Sequence, residues 1–316
     1  VRIGNNATLI ETDAFTGCTS LATVYIDSAS IASQLSSTTA CGNILANANT
    51  VYVRSTASAS LASFVTENYA KVSSTVSGYD KYIRDYTLFD GFTFTISGST
   101  ASLVSYNGSA ANVDVPSSIS TATLGGETVY IAGDDYIVTS IADANGMIGA
   151  FTRAATTLQK VVLPNTLTHI GNRAFYNCIN INEITMPAVV TIGDGAFSSC
   201  SSLPAITLPN TLVSIGSTAF YGCNNLTSVT LPANVNTIGE AAFAECTKLA
   251  SINIPNGVTT INIDTFQNCS SLTSINIPSS VASIGADAFA GCTSLATVYI
   301  DSRTIASGLT SASVYG

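Results

Sequence analysis

Residues 226–246 read LTSVTLPANVNTIGEAAFAEC, and residues 249–269 read LASINIPNGVTTINIDTFQNC. Aligned on their first leucine, the two stretches share their apolar positions, one proline and a terminal Phe-x-x-Cys. The same pattern places cysteines at intervals of 22 or 23 residues, namely Cys178, Cys200, Cys223, Cys246, Cys269 and Cys292. A fixed period of roughly 20–29 residues predicts a repeat solenoid, in which each unit packs only on its neighbours.

Within one unit, the apolar residues have two different spacings. Ile252 and Ile254 flank one polar residue, which is the spacing of a strand with one buried face. Pro255 ends that strand because it lacks an amide hydrogen, and Val258 and Ile261 form the next inward pair. The Phe-x-x-Cys segment has the spacing of a short helical turn. We therefore predict a right-handed leucine-rich repeat coil that is mainly β, with short strands and short helical turns.

The repeats cover residues 137–300 as about seven units of ~23 residues, and Ala154 stands in place of the cysteine in the first unit. A zinc site would need convergent ligands, usually from CxxC pairs. Disulfides are not expected either, because equivalent side chains of stacked coils point in parallel. The cysteines are therefore predicted to form a buried column of free thiols, and no metal or other cofactor is expected.

A second, longer period relates the two ends of the chain. Residues 13–28 and 287–302 are identical at fifteen of sixteen positions, at a constant offset of 274 residues. With no initiator Met or signal peptide at Val1, we expect a piece of a larger tandem. The predicted divisions are 1–36 (end of a first array), 37–88 (closing cap or linker), 89–136 (β cap opening the second array), 137–300 (second array) and 301–316 (start of the next cap).

The two predicted caps differ in structure. In the closing cap, residues 50–54 have the pattern of a strand and residues 59–70 that of a helix with one apolar face. This combination predicts a mixed α/β module between the two arrays. In the β cap, Phe92–Ile96 and Ala101–Val104 alternate as strands do. That segment is expected to cover the open edge of the first coil.

The units resemble the BspA-like, or Treponema pallidum-type, leucine-rich repeats, whose pattern is close to Leu-x-x-Ile-x-Ile-Pro-x-x-Val-x-x-Ile-Gly-x-x-Ala-Phe-x-x-Cys. The likeness covers residues 137–300 and 1–26. Its departures from the pattern are Ala154 for Cys, Asn262 for Gly, Asp301 for Pro, and one residue fewer between Pro187 and Val190. The resemblance implies a surface-exposed or secreted bacterial protein, linked to adhesion to host matrix proteins or to other cells.

Composition narrows the classes of function. Charged residues make up only 9% of the chain, and the net charge of −9 would repel nucleic acid and anionic lipid. No apolar run approaches the roughly 18 residues of a membrane helix. The single histidine, His169, stands where other units have Ser, Thr or Asn, which favours a surface role. We therefore expect a monomeric fragment that neither binds nucleic acid nor inserts into a membrane.

Two pairs of carboxylates remain as candidates for catalysis. Asp134 and Asp135 adjoin in a turn, and Asp264 and Asp287 occupy equivalent positions one coil apart. Glycoside hydrolysis needs such a pair about 5–10 Å apart, and calcium would need further oxygen ligands. Loops collect Asp for turn geometry in any case. We therefore favour a structural role for both pairs, and the protein is predicted not to be an enzyme.

The outward residue between the two apolar residues of each strand forms a predicted column. Its members proposed for ligand binding are Thr185, Thr207, Thr230, Asn253, Asn276 and Tyr299. A parallel column two residues earlier contains Lys160, Glu183, Ala205, Ser228, Ser251, Ser274 and Thr297. Uncharged hydroxyl and amide groups ending in a tyrosine suit a glycan or an extended peptide. The same residue types also suit a solvated sheet that binds nothing.

Two functions are therefore open. The leading interpretation is a non-enzymatic, extracellular or cell-surface protein that binds a host matrix protein, a glycan or another cell through this strand face. The alternative is a structural spacer or stalk of a large tandem-array surface protein. Substitutions on the strand face separate the two, because only the first function requires that face.

Overall fold

The computed structural model describes residues 2–10, 18, 23–28, 50–54, 70–72, 79–83, 91–124, 127–144 and 146–301. The chain divides into two units: Val1–Asp90 with Ser118–Tyr136 (unit 1), and Gly91–Ser117 with Ile137–Gly316 (unit 2). The sequence 89–136, predicted as one cap, is thus shared between the units. The helix predicted in 59–70 lies outside the described residues, except for Ala70, which begins a strand.

Almost all regular structure in these ranges is β. The one helical segment that they contain is the 3-10 turn Thr152–Ala154. The strands are β1 (Arg2–Ile3), β2 (Thr23–Ile26), β3 (Thr50–Arg54), β4 (Ala70–Val72), β5 (Tyr79–Ile83), β6 (Phe92–Ser97), β7 (Thr100–Tyr106), β8 (Asn112–Asp114), β9 (Ser118–Leu124), β10 (Glu127–Ile141), β11 (Lys160–Val162), β12 (His169–Ile170), β13 (Glu183–Thr185), β14 (Thr191–Ile192), β15 (Ala205–Ile206), β16 (Ser214–Ile215), β17 (Ser228–Val229), β18 (Thr237–Ile238), β19 (Ser251–Ile252), β20 (Thr260–Ile261), β21 (Ser274–Ile277), β22 (Ser283–Ile284) and β23 (Thr297–Ile300).

Unit 1 combines a parallel stack with an antiparallel extension. Strands β1, β2 and β3 pair in parallel, and the strand predicted at 50–54 is therefore present. Strand β3 then pairs antiparallel with β5, β5 with β4, and β4 with β9. The rings of Tyr25 and Tyr52 stack across β2 and β3, with centroids 4.7 Å apart.

Unit 2 is the predicted repeat solenoid, with two columns of parallel strands. The first column runs from residues 137–141 of β10 through β12, β14, β16 and β18, and it continues with β20 and β22. The second column carries the Leu-x-x-Ile-x-Ile strands β11, β13, β15, β17, β19, β21 and β23. The predicted alternation holds, since Ile252 and Ile254 are both 7% exposed.

The segment between the two columns is not the short helical turn that we predicted. Arg173 and Asn177 have left-handed backbones, with φ of 56° and 59°, and a helix cannot continue through such residues. Alternate amides therefore donate to the next coil rather than along their own chain. These bonds join Arg173 to Asp194, Phe175 to Ala196 and Asn177 to Ser198, all with N···O of 2.8 Å. Equivalent bonds in the later coils make this segment a third wall of the solenoid.

A column of stacked phenylalanine rings fills the interior. Successive centroids lie 4.6–5.9 Å apart with interplanar angles of 3–14°, within the range of favourable aromatic contacts. All seven rings are at most 1% exposed: Phe151, Phe175, Phe197, Phe220, Phe243, Phe266 and Phe289.

Tyr106 supplies an eighth ring that the repeat pattern does not reveal. Its amide donates to the Ala150 carbonyl at 2.7 Å, as that of Phe151 donates to Ala174. Its ring contacts that of Phe151 at 5.8 Å. Strand β7 joins the first column, and β8 joins the second column through β11. Residues 91–117 therefore build an additional coil that lacks the repeat signature.

The cysteines form the predicted column, and they also make hydrogen bonds. The six repeat cysteines are free thiols, and all but Cys292 are fully buried. Each Sγ donates to the carbonyl of the phenylalanine one coil earlier, as from Cys223 to Phe197 at 3.2 Å. Burial raises the pKa of Cys223 to about 12 because a thiolate would lose its solvation there.

The glycine after the first-column strands sets how closely two coils approach. A methyl group on Gly239 would overlap the backbone of Gly216 and Ser217. Asn262 occupies the equivalent position in the next coil, and there the ladder from β18 to β20 is interrupted. The side-chain amide nitrogen of Asn262 (Nδ2) instead donates to the Ile238 carbonyl at 2.6 Å. The ring separation at this junction, 5.9 Å between Phe243 and Phe266, is the widest in the stacked column of seven phenylalanines.

The close approach at glycine yields a stability prediction. Gly239→Ala should destabilise the chain by about 1–3 kcal/mol, because the added methyl forces two backbones apart. Gly4→Ala is the matched control, since a Cβ at Gly4 would meet no atom of a described residue within 4 Å, and its effect should stay within about 0.5 kcal/mol. Urea unfolding followed by circular dichroism measures both. Equal effects of the two substitutions would contradict this role of Gly239.

The buried thiols yield a pH prediction. A pKa raised in the folded state means that folding favours the neutral thiol, so this contribution is complete below the ordinary value of 9.0 and is lost as pH rises towards about 12. The free energy of unfolding should therefore fall across this range. A chain with Cys223→Ala and Cys246→Ala should show a shallower fall, and an unchanged slope would disprove the contribution of these thiols.

Candidate functional site

The predicted binding residues lie together on the exposed face of the second column. Thr185, Thr207, Thr230, Asn253, Asn276 and Tyr299 are all exposed. Strand registers place Val162 opposite Thr185 and Asn276 opposite Tyr299. The sequence therefore placed these side chains on one surface, whereas a ligand for that surface stays a prediction.

The second column is not continuous. Strand pairing stops between β13 and β15 and again between β19 and β21. A surface groove of about 570 Å³ lies at the first interruption. Its walls contain Thr185 and Thr207, two of the predicted binding residues. The complete lining is Glu183, Ile184, Thr185, Met186, Pro187, Thr207, Pro209, Asn210 and Thr211.

A missing residue accounts for the groove. In the other coils the proline after the second-column strand begins a tight turn, as in the bonds from Val235 to Pro232 at 3.1 Å and from Val258 to Pro255 at 3.0 Å. After Pro187 only one residue precedes the buried apolar residue of the turn, so this four-residue turn cannot form. The one-residue departure seen in the sequence was therefore the available signal for the groove.

Hydroxyl groups dominate the polar chemistry of the groove. The Glu183 carboxylate is paired with Lys160, with Nζ–Oε1 of 2.6 Å, which offsets the charge at the rim. The Thr211 hydroxyl donates to the Val189 carbonyl at 2.8 Å. The Thr185 and Thr207 hydroxyls make no hydrogen bond to any described residue. These two hydroxyls can therefore donate to, or accept from, a bound molecule.

Asn253, by contrast, is already engaged. Its Oδ1 accepts the Leu231 amide at 2.8 Å, and its Nδ2 donates to the Leu231 carbonyl at 2.9 Å. The side chain thus replaces a missing pair of backbone ladder bonds between two coils. We infer a structural role for Asn253, although its side chain lies on the exposed face.

Three of the titratable residues weighed for catalysis, His169, Asp134 and Asp264, make side-chain hydrogen bonds, the last with Gln267 at 2.8 Å. Asp134 and Asp135 lie within β10 and not in the predicted turn. His169 is half-buried, and its Nδ1 is hydrogen-bonded to the Thr191 hydroxyl. Asp264 and Asp287 have left-handed backbones, with φ of 57° and 55°, which Asp tolerates in turns. The Asp134 carboxylate accepts the Ser118 hydroxyl at 3.0 Å. These contacts agree with the structural interpretation of the acids.

One polar ladder was not predicted. The side-chain oxygen of Asp143 accepts the Asn172 amide at 2.8 Å, that of Asn172 accepts the Asp194 amide at 2.6 Å, and that of Asp194 accepts the Ser217 amide at 2.7 Å. These side-chain oxygens link successive coils by hydrogen bonds. Each of these residues stands two positions after the isoleucine of a first-column strand, which was the available signal, but the residue type there varies from coil to coil.

Neither a cluster of metal ligands nor a membrane-spanning helix occurs among the described residues. Within those ranges, His, Cys, Asp and Glu form no group of three or more that could hold a metal ion. The same ranges contain no helix that is long and apolar enough to span a membrane.

The geometry and the repeat pattern agree with one protein family. The family model described as the BspA type leucine rich repeat region matches residues 1–67, 146–270 and 190–309, with six copies. These matches span more than half of the chain. The chain belongs to this BspA-type leucine-rich repeat family.

Solved structures with the same repeats are similar to the chain. The T. pallidum leucine-rich repeat protein is 28% identical, with a TM-score of 0.55, over 66% of this chain and 90% of that one. A leucine-rich cell surface protein from Faecalibacterium prausnitzii is 31% identical, with a TM-score of 0.58, over 69% and 55%. A leucine-rich repeat protein from Bacteroides ovatus is 29% identical, with a TM-score of 0.56, over 67% and 52%.

The names and lengths of these relatives limit what the BspA-type assignment implies for this chain. The chain spans only about half of the F. prausnitzii and B. ovatus chains, at 55% and 52% of their lengths. All three are named as leucine-rich proteins, and none of these names is that of an enzyme. No curated protein shows significant similarity to the chain.

The bridge from Asn253 to Leu231 yields a prediction. Asn253→Ala should destabilise the chain by about 1–3 kcal/mol, because a buried backbone amide and carbonyl lose their partners. Asn276→Ala provides the matched control, since Asn276 is exposed one coil further along the same column, and its effect should stay within about 0.5 kcal/mol. Thermal and urea unfolding measure both. If Asn253→Ala were as harmless as its control, the structural role would be disproved.

Proposed function

We propose that this BspA-type array binds an extracellular macromolecule through the second-column face, and that the groove between β13 and β15 is the centre of the site. Thr185 and Thr207 contact the ligand, and Thr230 and Asn276 extend the surface along the column. This function serves adhesion to a host matrix protein, a glycan or another cell. Membership of the family supports a general role in protein binding or adhesion.

The groove is the observation that carries the proposal. Its volume of about 570 Å³ falls within the range typical of ligand sites. It lies where the predicted column already placed two hydroxyl groups. Both hydroxyl groups lack a partner among the described residues, whereas many other polar side chains of the array form hydrogen bonds between coils.

The lining favours a protein segment over other ligands. Pro187 and Pro209 give the groove rigid apolar walls, and Thr185 and Thr207 add hydroxyl donors and acceptors. An extended peptide presents both features, since its backbone carries donors and acceptors and its side chains alternate with them. Because Lys160 forms an ion pair with Glu183, the groove has little net charge to attract an ionic ligand. A glycan is the second ligand class that such hydroxyl groups would accept.

The proposed setting is outside the cell, and the proposed activity is not catalytic. The similar F. prausnitzii chain is named as a cell surface protein, which supports an extracellular or surface location for this chain. Asp134 and His169 are engaged in side-chain contacts, and Asp264 and Asp287 lie in turns between strands. These contacts support a binding function rather than an enzymatic one.

A spacer or stalk is the second candidate, and one observation favours it. Many polar side chains of the array form hydrogen bonds between coils, including those of Asn253, Asn262 and Asp194. A protein selected only to extend would show this pattern. In that case the groove would be a by-product of the missing residue near Pro187.

A paired substitution tests the groove. Thr185→Glu with Thr207→Glu places two carboxylates in it, and affinity for a ligand found on an array of matrix proteins and glycans should fall at least ~10-fold. Ser228→Glu with Ser251→Glu is the matched control, because these exposed residues lie on the same face outside the groove. Surface plasmon resonance measures both variants.

The outcomes separate the candidates. Loss of binding confined to the groove variant supports the proposal and locates the site. Equal loss in both variants would assign binding to the face in general and remove the groove from the proposal. Unchanged binding in both would disprove the site, and a complete absence of ligands would favour the spacer.

A further inference from the structure

We propose that the outer edge of β23 is a docking site for one further parallel strand, of the type of β3, with an aromatic residue opposite Tyr299. Strand β23 pairs with β21 on one side. On its other side, the described part of the chain supplies no paired strand. An uncovered edge carries unpaired backbone groups that accept another strand.

Unit 1 contains a second copy of this edge. Under the offset of 274 residues, β1 and β2 correspond to the end of β21 and to β23. The pairing is equivalent in both places, since Arg2 lies opposite Tyr25 and Asn276 lies opposite Tyr299. The sequence Thr-Val-Tyr-Ile is also identical in β2 and β23.

The hydrogen bonds at the end of the two strands agree as well. Asp27 donates its amide to the Ile3 carbonyl at 2.9 Å. Asp301 donates its amide to the Ile277 carbonyl at 3.0 Å, and both residues of this pair stand 274 positions later. The two edges are therefore the same structural element, and what covers one indicates what fits the other.

In unit 1 the edge is covered by β3. All four residues of β2 pair with β3 in parallel register. The rings of Tyr25 and Tyr52 stack with centroids 4.7 Å apart and planes 8° apart. Under this cover, Val24 and Ile26 are fully buried.

The corresponding residues of β23 lack that cover. Val298 and Ile300 are only half-buried, and Tyr299 is 61% exposed. Because β2 and β23 have the same sequence, the difference arises from the neighbouring strand and not from the side chains. A strand added to β23 would bury two aliphatic residues and one aromatic ring.

The chemistry of the incoming strand follows from β3. Val51 and Val53 are 3% and 1% exposed, and Tyr52 between them provides the ring that stacks. The fitting strand therefore runs parallel to β23 and carries two aliphatic residues around a tyrosine. This assigns Tyr299 to strand docking and removes it from the ligand-binding face.

A single tryptophan reports on this edge, because the chain contains no Trp. Tyr299→Trp is made in the full chain and in a chain extended after Gly316 by a copy of residues 43–90, which continues the offset of 274 residues. Acrylamide quenching is measured in both, and in the unextended chain with a peptide of residues 46–56. Tyr25→Trp is the matched control at the covered edge.

Docking predicts that quenching at position 299 falls in the extended chain to the level at position 25, with a blue shift of the emission. The peptide should have the same effect on the unextended chain, and a peptide with Val51→Pro and Val53→Pro should not, because it cannot pair fully. Quenching that stays high at position 299 in both the extended chain and the peptide mixture would overturn the proposal. So would shielding in the unextended chain that rises with its own concentration, since a second copy would then be the occupant.

Discussion

Close approach of successive coils is the constraint on which unit 2 depends. Each coil has to bring three segments of backbone within hydrogen-bonding distance of the next coil, and Gly239 shows that one of these contacts leaves no room for a side chain. The stacked rings and the thiol bonds to phenylalanine carbonyls follow from the same spacing. Where Asn262 replaces the glycine, the coils separate and a side-chain amide takes over the lost backbone bond.

This constraint also decides which polar groups remain for function. Many side chains with donors or acceptors serve the contacts between coils, as Asn253 and Asp194 do. A binding surface therefore depends on the places where the repeat is imperfect. The missing residue after Pro187 interrupts the second column and leaves Thr185 and Thr207 on the walls of a groove, so irregularity in the repeat creates the one recess that the proposal uses.

The sequence predicts the parts of this molecule that repeat, and it fails where one residue acts alone. The spacing of Ile252, Ile254 and Phe266 was sufficient for the strands and the buried column, because each position is confirmed by its equivalents in other coils. Helical turns were predicted wrongly, since left-handed residues such as Arg173 and Thr218 are not of the types that mark a turn. The coil of Tyr106 and the bridge of Asn253 rest on long-range contacts that no local pattern records.

The interruptions of the two strand columns have a mechanical consequence. The second column breaks between β13 and β15 and between β19 and β21, whereas the first breaks between β18 and β20. The last two of these breaks follow each other along the chain, so a cut that crosses the chain between β19 and β20 meets two open ladders and is bridged by the third wall of backbone bonds. A pulling force along the stack therefore acts there on the third wall, where the bonds from Ala241 to Ile263 and from Phe243 to Thr265 carry the tension between the two parts.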